Sequence, residues 1–155
     1  MRRPRPPPRT VPLADAASVA VVTEVEREYV DLFVGLGRGE LLPYASYYLT
    51  GFLNERPLSR LRDDLATLGI ERLECNLEPE DHAATLCEIM AGLAAARFPA
   101  TPEAQRAFFE KHVSRWMRRL FADMEGAENA KFYRSVGTLG RVFLEIETEA
   151  FTLAN

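Results

Sequence analysis

The densest group of side chains able to do chemistry is the run Glu78-Pro79-Glu80-Asp81-His82. Carboxylates and imidazole are ligand types for divalent metals, and an Asp beside a His is part of a hydrolytic triad. The spacing favours neither use. Adjacent helical residues point about 100° apart, so Asp81 and His82 cannot share a face as an i, i+4 ligand pair does. Only His112 remains as a further histidine, and no serine or cysteine falls in a nucleophile pattern. On residue chemistry alone the first reading is that the acids cap a helix start and complement its dipole. A peptide-docking site comes second and catalysis third. Elsewhere, His112 and Trp116 in FFEKHVSRW stand at i, i+4 and read as a histidine at the edge of a core. Cys75 and Cys87 form no CxxC pair and read as reduced thiols. GLGRGE, residues 35–40, lacks the spacing and the preceding strand of a nucleotide loop and reads as a turn.

The elements that must position these residues are helical. From about Ala14, with Asp15 as N-cap, Val19, Val22, Glu26, Tyr29 and Phe33 recur at helical spacing, and Gly35, Gly37 and Gly39 end the helix. In PYASYYLTG, residues 43–51, Tyr44, Tyr47 and Tyr48 share one face with Phe52, as a core stripe or an aromatic groove. Pro57 opens a helix with Leu58, Leu61, Leu65 and Leu68 inward and Gly69 as its stop. Arg60, Arg62, Asp63 and Asp64 lie off that stripe as a solvated face. A third helix over roughly Glu80 to Arg97 turns Leu86, Met90, Leu93 and Ala94 inward and stops at Pro99. Thr101-Pro102-Glu103 starts a fourth, with Phe109, Val113, Trp116 and Leu120 on its inner face. A last helix from near Ala127 carries Phe132, Val136, Leu139, Phe143 and Ile146. No stretch shows the period of a strand, so the fold class is an all-α, single-domain bundle.

The 155 residues suit one domain. Arg2, Arg3, Arg5 and Arg9 lie in the first nine residues and leave 15 basic against 23 acidic side chains in the rest, a charge of −8. An acidic body excludes nucleic acid as a partner, because phosphates need a basic footprint. No apolar run approaches the ~18 residues of a membrane span. Arg2-Arg3 precedes prolines rather than a sustained apolar segment, so it reads as no export signal. Residues 1–13 are expected to be a disordered Pro/Arg-rich tail, and residues 14–155 the helical domain.

Four segments in order resemble the TorD/DmsD/NarJ chaperones. EPEDH, residues 78–82, resembles that family's EPxDH motif, followed here by Glu88-Ile89-Met90; FFEKHVSRW resembles FFxxHLxxW, with Val113 in place of leucine. Phe132-Tyr133 matches an FY pair in the last helix, and EREYVDLF (26–33) and PYASYYLTG resemble the family's upstream segments. The similarity runs from about Glu24 to the carboxyl terminus.

The resemblance implies a cytoplasmic, non-enzymatic chaperone with no cofactor of its own. Its partner would be the apo form of a molybdoenzyme catalytic subunit, recognised by its twin-arginine signal peptide and held until the molybdopterin cofactor is inserted. The wording of Tyr44 to Leu61 is most similar to members associated with formate dehydrogenase. Under this reading Glu78 and Asp81 contact the peptide's guanidinium groups, His82 orients the connector, and Tyr44, Tyr47 and Tyr48 receive the apolar segment. The sequence departs from the family in one respect. A Pro/Arg tail stands where a further helical segment usually precedes the EYxxLF helix, which predicts an apolar face covered by a second copy in a domain-swapped homodimer. Two rival readings are a metal-dependent helical hydrolase using Asp81 and His82, which requires near-stoichiometric metal, and an oligomerising module, which binds no peptide.

Overall fold

The computed structural model describes residues 11–72 and 77–153. The described residues form eight α-helices and two π-helical turns joined by loops, with no strand and one isolated antiparallel bridge, Tyr44 to His82. No described helix is long and apolar enough to cross a membrane. The expected tail falls largely in residues 1–10, and Cys75 in 73–76, both outside the described residues.

The amino-terminal pattern forms two helices, not one. Pro12 occupies the N-cap position of helix α1 (Leu13–Ser18) without a side-chain cap, while Asp15, the expected cap, sits in the first turn and its carbonyl accepts from the Ser18 hydroxyl at 2.7 Å. The chain then becomes extended at Val21. The β-branched cluster Val19, Val21, Val22 and Thr23 is a poor continuation for a helix because each side chain crowds the preceding turn. Helix α2 (Val22–Tyr29) resumes and passes into a π turn, Val30–Val34. The expected stripe, which Val25, Leu32 and Leu36 widen, is only partly inward: Leu32 is buried and Val25 and Phe33 half-buried, but Val19, Val22, Tyr29 and Leu36 are exposed and the unexpected inward residue is Glu28.

Glu28 explains that orientation. Its carboxylate accepts three backbone N–H bonds from Lys131 (2.8 Å), Phe132 (3.1 Å) and Tyr133 (2.8 Å), the opening turn of helix α8 (Phe132–Leu153). The first N–H groups of a helix have no intrahelical acceptor, so one buried carboxylate satisfies most of that helix end. Glu40 does the same for Glu128 and Asn129 just upstream, at 2.6 and 3.2 Å. Tyr29, Phe33 and Tyr133 pack their rings at 5.3–6.3 Å around this junction.

Helix α3 (Ala45–Thr50) ends at Gly51, whose φ of +85° suits a residue without a Cβ, so Phe52 leaves the expected aromatic face and is exposed. Helix α4 (Arg56–Thr67) buries Leu58, Leu61 and Leu65 as its spacing predicts. Helix α5 (Ala83–Ala94) starts after His82 and ends at Ala94, before Ala96 takes a positive φ, so Pro99 does not stop it. Ile89 and Gly92 are buried where Ala94 was expected. Helix α6 (Pro102–Phe108) has the expected Thr101 cap, whose hydroxyl accepts from Ala104 N–H at 3.2 Å. It runs into the second π turn, Phe109–Val113, and helix α7 (Met117–Gly126) begins after a break at Trp116.

The main core joins Leu61, Leu86, Phe109, Trp116 and Leu120 from four of these elements with Leu144 of α8. Helix α8 begins at Phe132, not near Ala127, and it approaches α7 through its small residues. A Cβ on Gly137 would lie 2.7 Å from the Phe121 carbonyl oxygen. That contact turns Leu139, Phe143 and Ile146, the stripe expected inside, toward solvent.

Candidate functional site

The 78–82 run lies where the start of α3 meets the start of α5. Ala45 N–H donates to the Asp81 carbonyl (3.0 Å), Ala83 N–H donates to the Pro43 carbonyl (2.8 Å), and Tyr44 and His82 bridge between them. Asp81 is 1% exposed, and its Oδ2 accepts the Ser46 backbone N–H at 2.8 Å. It therefore caps α3 across 35 positions of sequence. The expected role of Asp81 as a groove-facing contact is corrected accordingly, because its carboxylate is buried and turned to the backbone. Its Oδ1 and the Ser46 hydroxyl have no hydrogen-bond partner among the described residues. Asp81 and His112 line a cavity of about 50 Å3 together with Arg60, Lys111 and Arg115, and the positive charge of these last three opposes entry of a guanidinium group.

His82 is the N-cap of α5: Nδ1 accepts from Ala84 N–H at 3.2 Å, which leaves the proton of a neutral ring on Nε2. Burial holds its pKa below the usual value, against the opposing pull of Glu78 and Asp81. Tyr44 stacks edge-on against the His82 ring at 5.1 Å and donates its hydroxyl to Glu78. Burial and that carboxylate together raise the Tyr44 pKa. Glu80 accepts from Arg62 Nε and Nη2 at 3.1 and 2.9 Å. Burial pushes its pKa up, but the bond from Arg62 outweighs it and holds the carboxyl below its ordinary range. Glu78 is the exposed carboxylate of the run, and Leu77 beside it is almost fully exposed. Among the described residues no group of three His, Cys, Asp or Glu side chains could hold a metal.

Four of the six expected site residues, Tyr44, Glu78, Asp81 and His82, thus form one junction. The other two diverge. Tyr47 accepts a hydrogen bond from Arg38, whose guanidinium lies 5.0 Å over its ring. Tyr48 packs its ring on Trp116 at 5.4 Å and donates to Asp123 at 3.0 Å, as part of the core edge.

A second polar junction was not read in the sequence. Asp64, assigned to a solvated face, accepts from His112 Nε2 at 2.5 Å and from Lys111 at 2.6 Å. The indole N–H of Trp116 donates to the His112 carbonyl at 2.7 Å. Burial lowers the His112 pKa despite the Asp64 carboxylate; Asp64, pushed up by burial, is lowered overall by its bonds from Lys111 and His112. The sign follows. A histidine whose folded pKa is depressed binds fewer protons folded than unfolded, so stability falls as pH drops through the unfolded value near ~6.5. The depressed Asp64 and Glu80 carboxyls add stability that is present above about pH 4 and lost below it. Urea titrations at about pH 7.5 and 5.5 are expected to show the wild type weaker at the lower pH, and His112→Gln to reduce that difference, the remainder belonging to His82, whose pKa burial also depresses. An unchanged slope in the variant rejects the assignment.

Comparison with known proteins places this geometry. Residues 8–122 match the nitrate reductase delta subunit family. The chain belongs to that family. Among curated relatives, the chaperone protein TorD of Vibrio cholerae (strain El Tor Inaba N16961) is 35% identical over 104 residues, which are 61% of this chain and 47% of the relative. TorD of Vibrio atlanticus is 25% identical over 136 residues, 81% of this chain and 63% of the relative. TorD of Aliivibrio fischeri is 28% identical over 137 residues, with the same coverages. The chain spans about half the length of the first of these relatives. Within the nitrate reductase delta subunit match, EYxxLF, EPxDH and FFxxHxxxW all fall at helix ends or π turns, and much of what they supply is capping and packing: Glu28 on α8, Asp81 on α3, His82 on α5, and His112 on Asp64.

Proposed function

We propose that this chain is a maturation chaperone for a molybdenum-dependent oxidoreductase, and that it binds the client's amino-terminal twin-arginine peptide at the Tyr44–His82 junction. Membership in the nitrate reductase delta subunit family, with relatives named as TorD chaperones, carries the reading. The role is binding, not catalysis, and it is exercised in the cytoplasm before export of the client. Formate dehydrogenase is the first client class to try, because of the wording of residues 44–61.

The junction suggests how such a peptide is held. Asp81 and His82 fix α3 and α5 against each other and act as positioning residues. Glu78, outside that buried pair, offers a carboxylate to a guanidinium group, a charge-assisted bond about twice as strong as a neutral one. The rings of Tyr44 and Tyr47, with exposed Leu77, Phe52 and Leu53, supply apolar surface for the segment after the arginines.

Calorimetry with a client signal peptide tests this. Glu78→Gln is expected to weaken binding about tenfold with unchanged thermal stability, and a peptide with Lys-Lys in place of Arg-Arg to bind more weakly to the wild type alone. Equal affinity of wild type and Glu78→Gln removes this junction from the site. No peptide binding at any concentration favours the oligomerising module instead.

A further inference from the structure

Helix α8 is apolar on two opposite sides. At 100° per residue, Gly137, Gly140 and Leu144 lie roughly 100–160° round the helix from Leu139, and they face α7. Leu139, Phe143, Ile146 and Ala150 fall within about 60° of one another on the other side. Leu139, Phe143 and Ile146 are 55, 53 and 59% exposed, and Val142 and Leu153 extend the stripe. It runs from Leu139 to Leu153, about 21 Å. A helix with apolar residues on opposite faces is normally covered on both. Contiguous exposed apolar surface of this kind marks an interaction site. The stripe also lies beyond residue 122, where the family match ends.

The charges beside the stripe say what fits it. Glu147 and Glu149 stand about 80° to either side of Leu139 in projection, and neither has a partner among the described residues. The two arginines of α8 lie on the far side. Arg141 is bonded to Glu125 (2.9 Å) and Glu145 (3.1 Å), and Arg134 donates to the Glu125 and Ala127 carbonyls. A second copy would therefore bring the acids of one α8 to those of the other, with no base of α8 on either rim to answer them. An anionic membrane or nucleic acid is repelled for the same reason. The chain's own first ten residues are basic, but beyond Met1 their apolar side chains are four prolines, which do not continue an amphipathic helix.

We propose that the outer face of α8, Leu139–Phe143–Ile146 flanked by Glu147 and Glu149, is a second docking surface that takes an amphipathic helix with basic flanks from another protein. It is separate from the Tyr44–His82 junction and does not depend on the chaperone reading. The partner's apolar residues lie at i, i+4 and i+7, matched to the spacing of Leu139, Phe143 and Ile146, and its Lys or Arg side chains meet the two glutamates.

The probe is a labelled helical peptide of about 18 residues with leucines at that spacing and lysines on both rims, titrated by fluorescence anisotropy into the full chain. A copy of the peptide with glutamates on the rims is the control. The lysine peptide is expected to bind at least about tenfold more tightly than the glutamate peptide. Phe143→Glu/Ile146→Glu, on exposed positions that leave the core intact, is expected to lose about tenfold or more, with unchanged far-UV circular dichroism. Glu147→Gln/Glu149→Gln is expected to remove the preference for lysine. The proposal is overturned if the lysine peptide does not bind, if the Phe143/Ile146 variant binds it equally, or if the free chain sediments as a dimer that the same variant dissociates. That last result assigns the face to a second copy.

Discussion

Asp81→Ala will lower the unfolding free energy by about 2–3 kcal/mol, because it leaves the Ser46 N–H buried without an acceptor and uncaps α3. Loss of a surface carboxylate costs far less, commonly under about 0.5 kcal/mol, so the size of the effect separates a positioning residue from an exposed contact. Asp81→Asn keeps a carbonyl oxygen for Ser46 and is expected to recover part of the loss. Urea unfolding of the three proteins gives the comparison. Peptide affinity adds a second axis. It should fall in Asp81→Ala and return toward the wild type in Asp81→Asn, whereas Glu78→Gln changes affinity at constant stability. If Asp81→Ala is as stable as the wild type and only its peptide affinity falls, the carboxylate touches the peptide and the capping role is wrong.

The other large effect is expected at Glu28. Alanine there removes the acceptor of three N–H groups at the start of α8 and costs about 2–4 kcal/mol. Hydrogen exchange resolves the cause: the amides of Lys131, Phe132 and Tyr133 should lose protection before those of Val136 onward. Glu28→Gln, with one acceptor oxygen in place of two, should fall between. Uniform loss of protection along α8 would show that Glu28 stabilises the packing of the helix and not its end.

The sequence made some of this legible. Leu58, Leu61 and Leu65 and the Thr101 cap lie where spacing and cap chemistry predict, because these are local relations within one or two turns. The orientation of α2 and α8 was not readable from spacing, since each carries more than one apolar stripe and the choice is made by distant partners. Glu28 fixes one helix through a contact 103–105 positions away, and Gly137 fixes the other by allowing α7 to come close. At the site, EPEDH precedes a helix as its composition suggests, but the acids expected to cap it do not: His82 caps α5, while Asp81 caps α3 and Glu80 pairs with Arg62. Ser46 and Asp64 carry no local signal, and only the fold brings them to Asp81 and His112. Tyr48 shares a helical face with Tyr44 in projection, yet in a helix of six residues the first is already the cap and the latter reaches the core.

The two π turns bear on how this chain tolerates change in length. A π turn holds one residue more than the α-helical turn it replaces, so it is the footprint of a single-residue insertion. Removing one residue from Phe109–Val113 would restore a regular helix but rotate everything after it by about 100°. Trp116, Met117 and Leu120 would then leave the core together. The same holds at Val30–Val34 for the segment that carries Glu40 to the Glu128 and Asn129 N–H groups. Related chains that share this packing should therefore conserve the number of residues across these two segments more strictly than their identity, and alignment gaps should fall elsewhere.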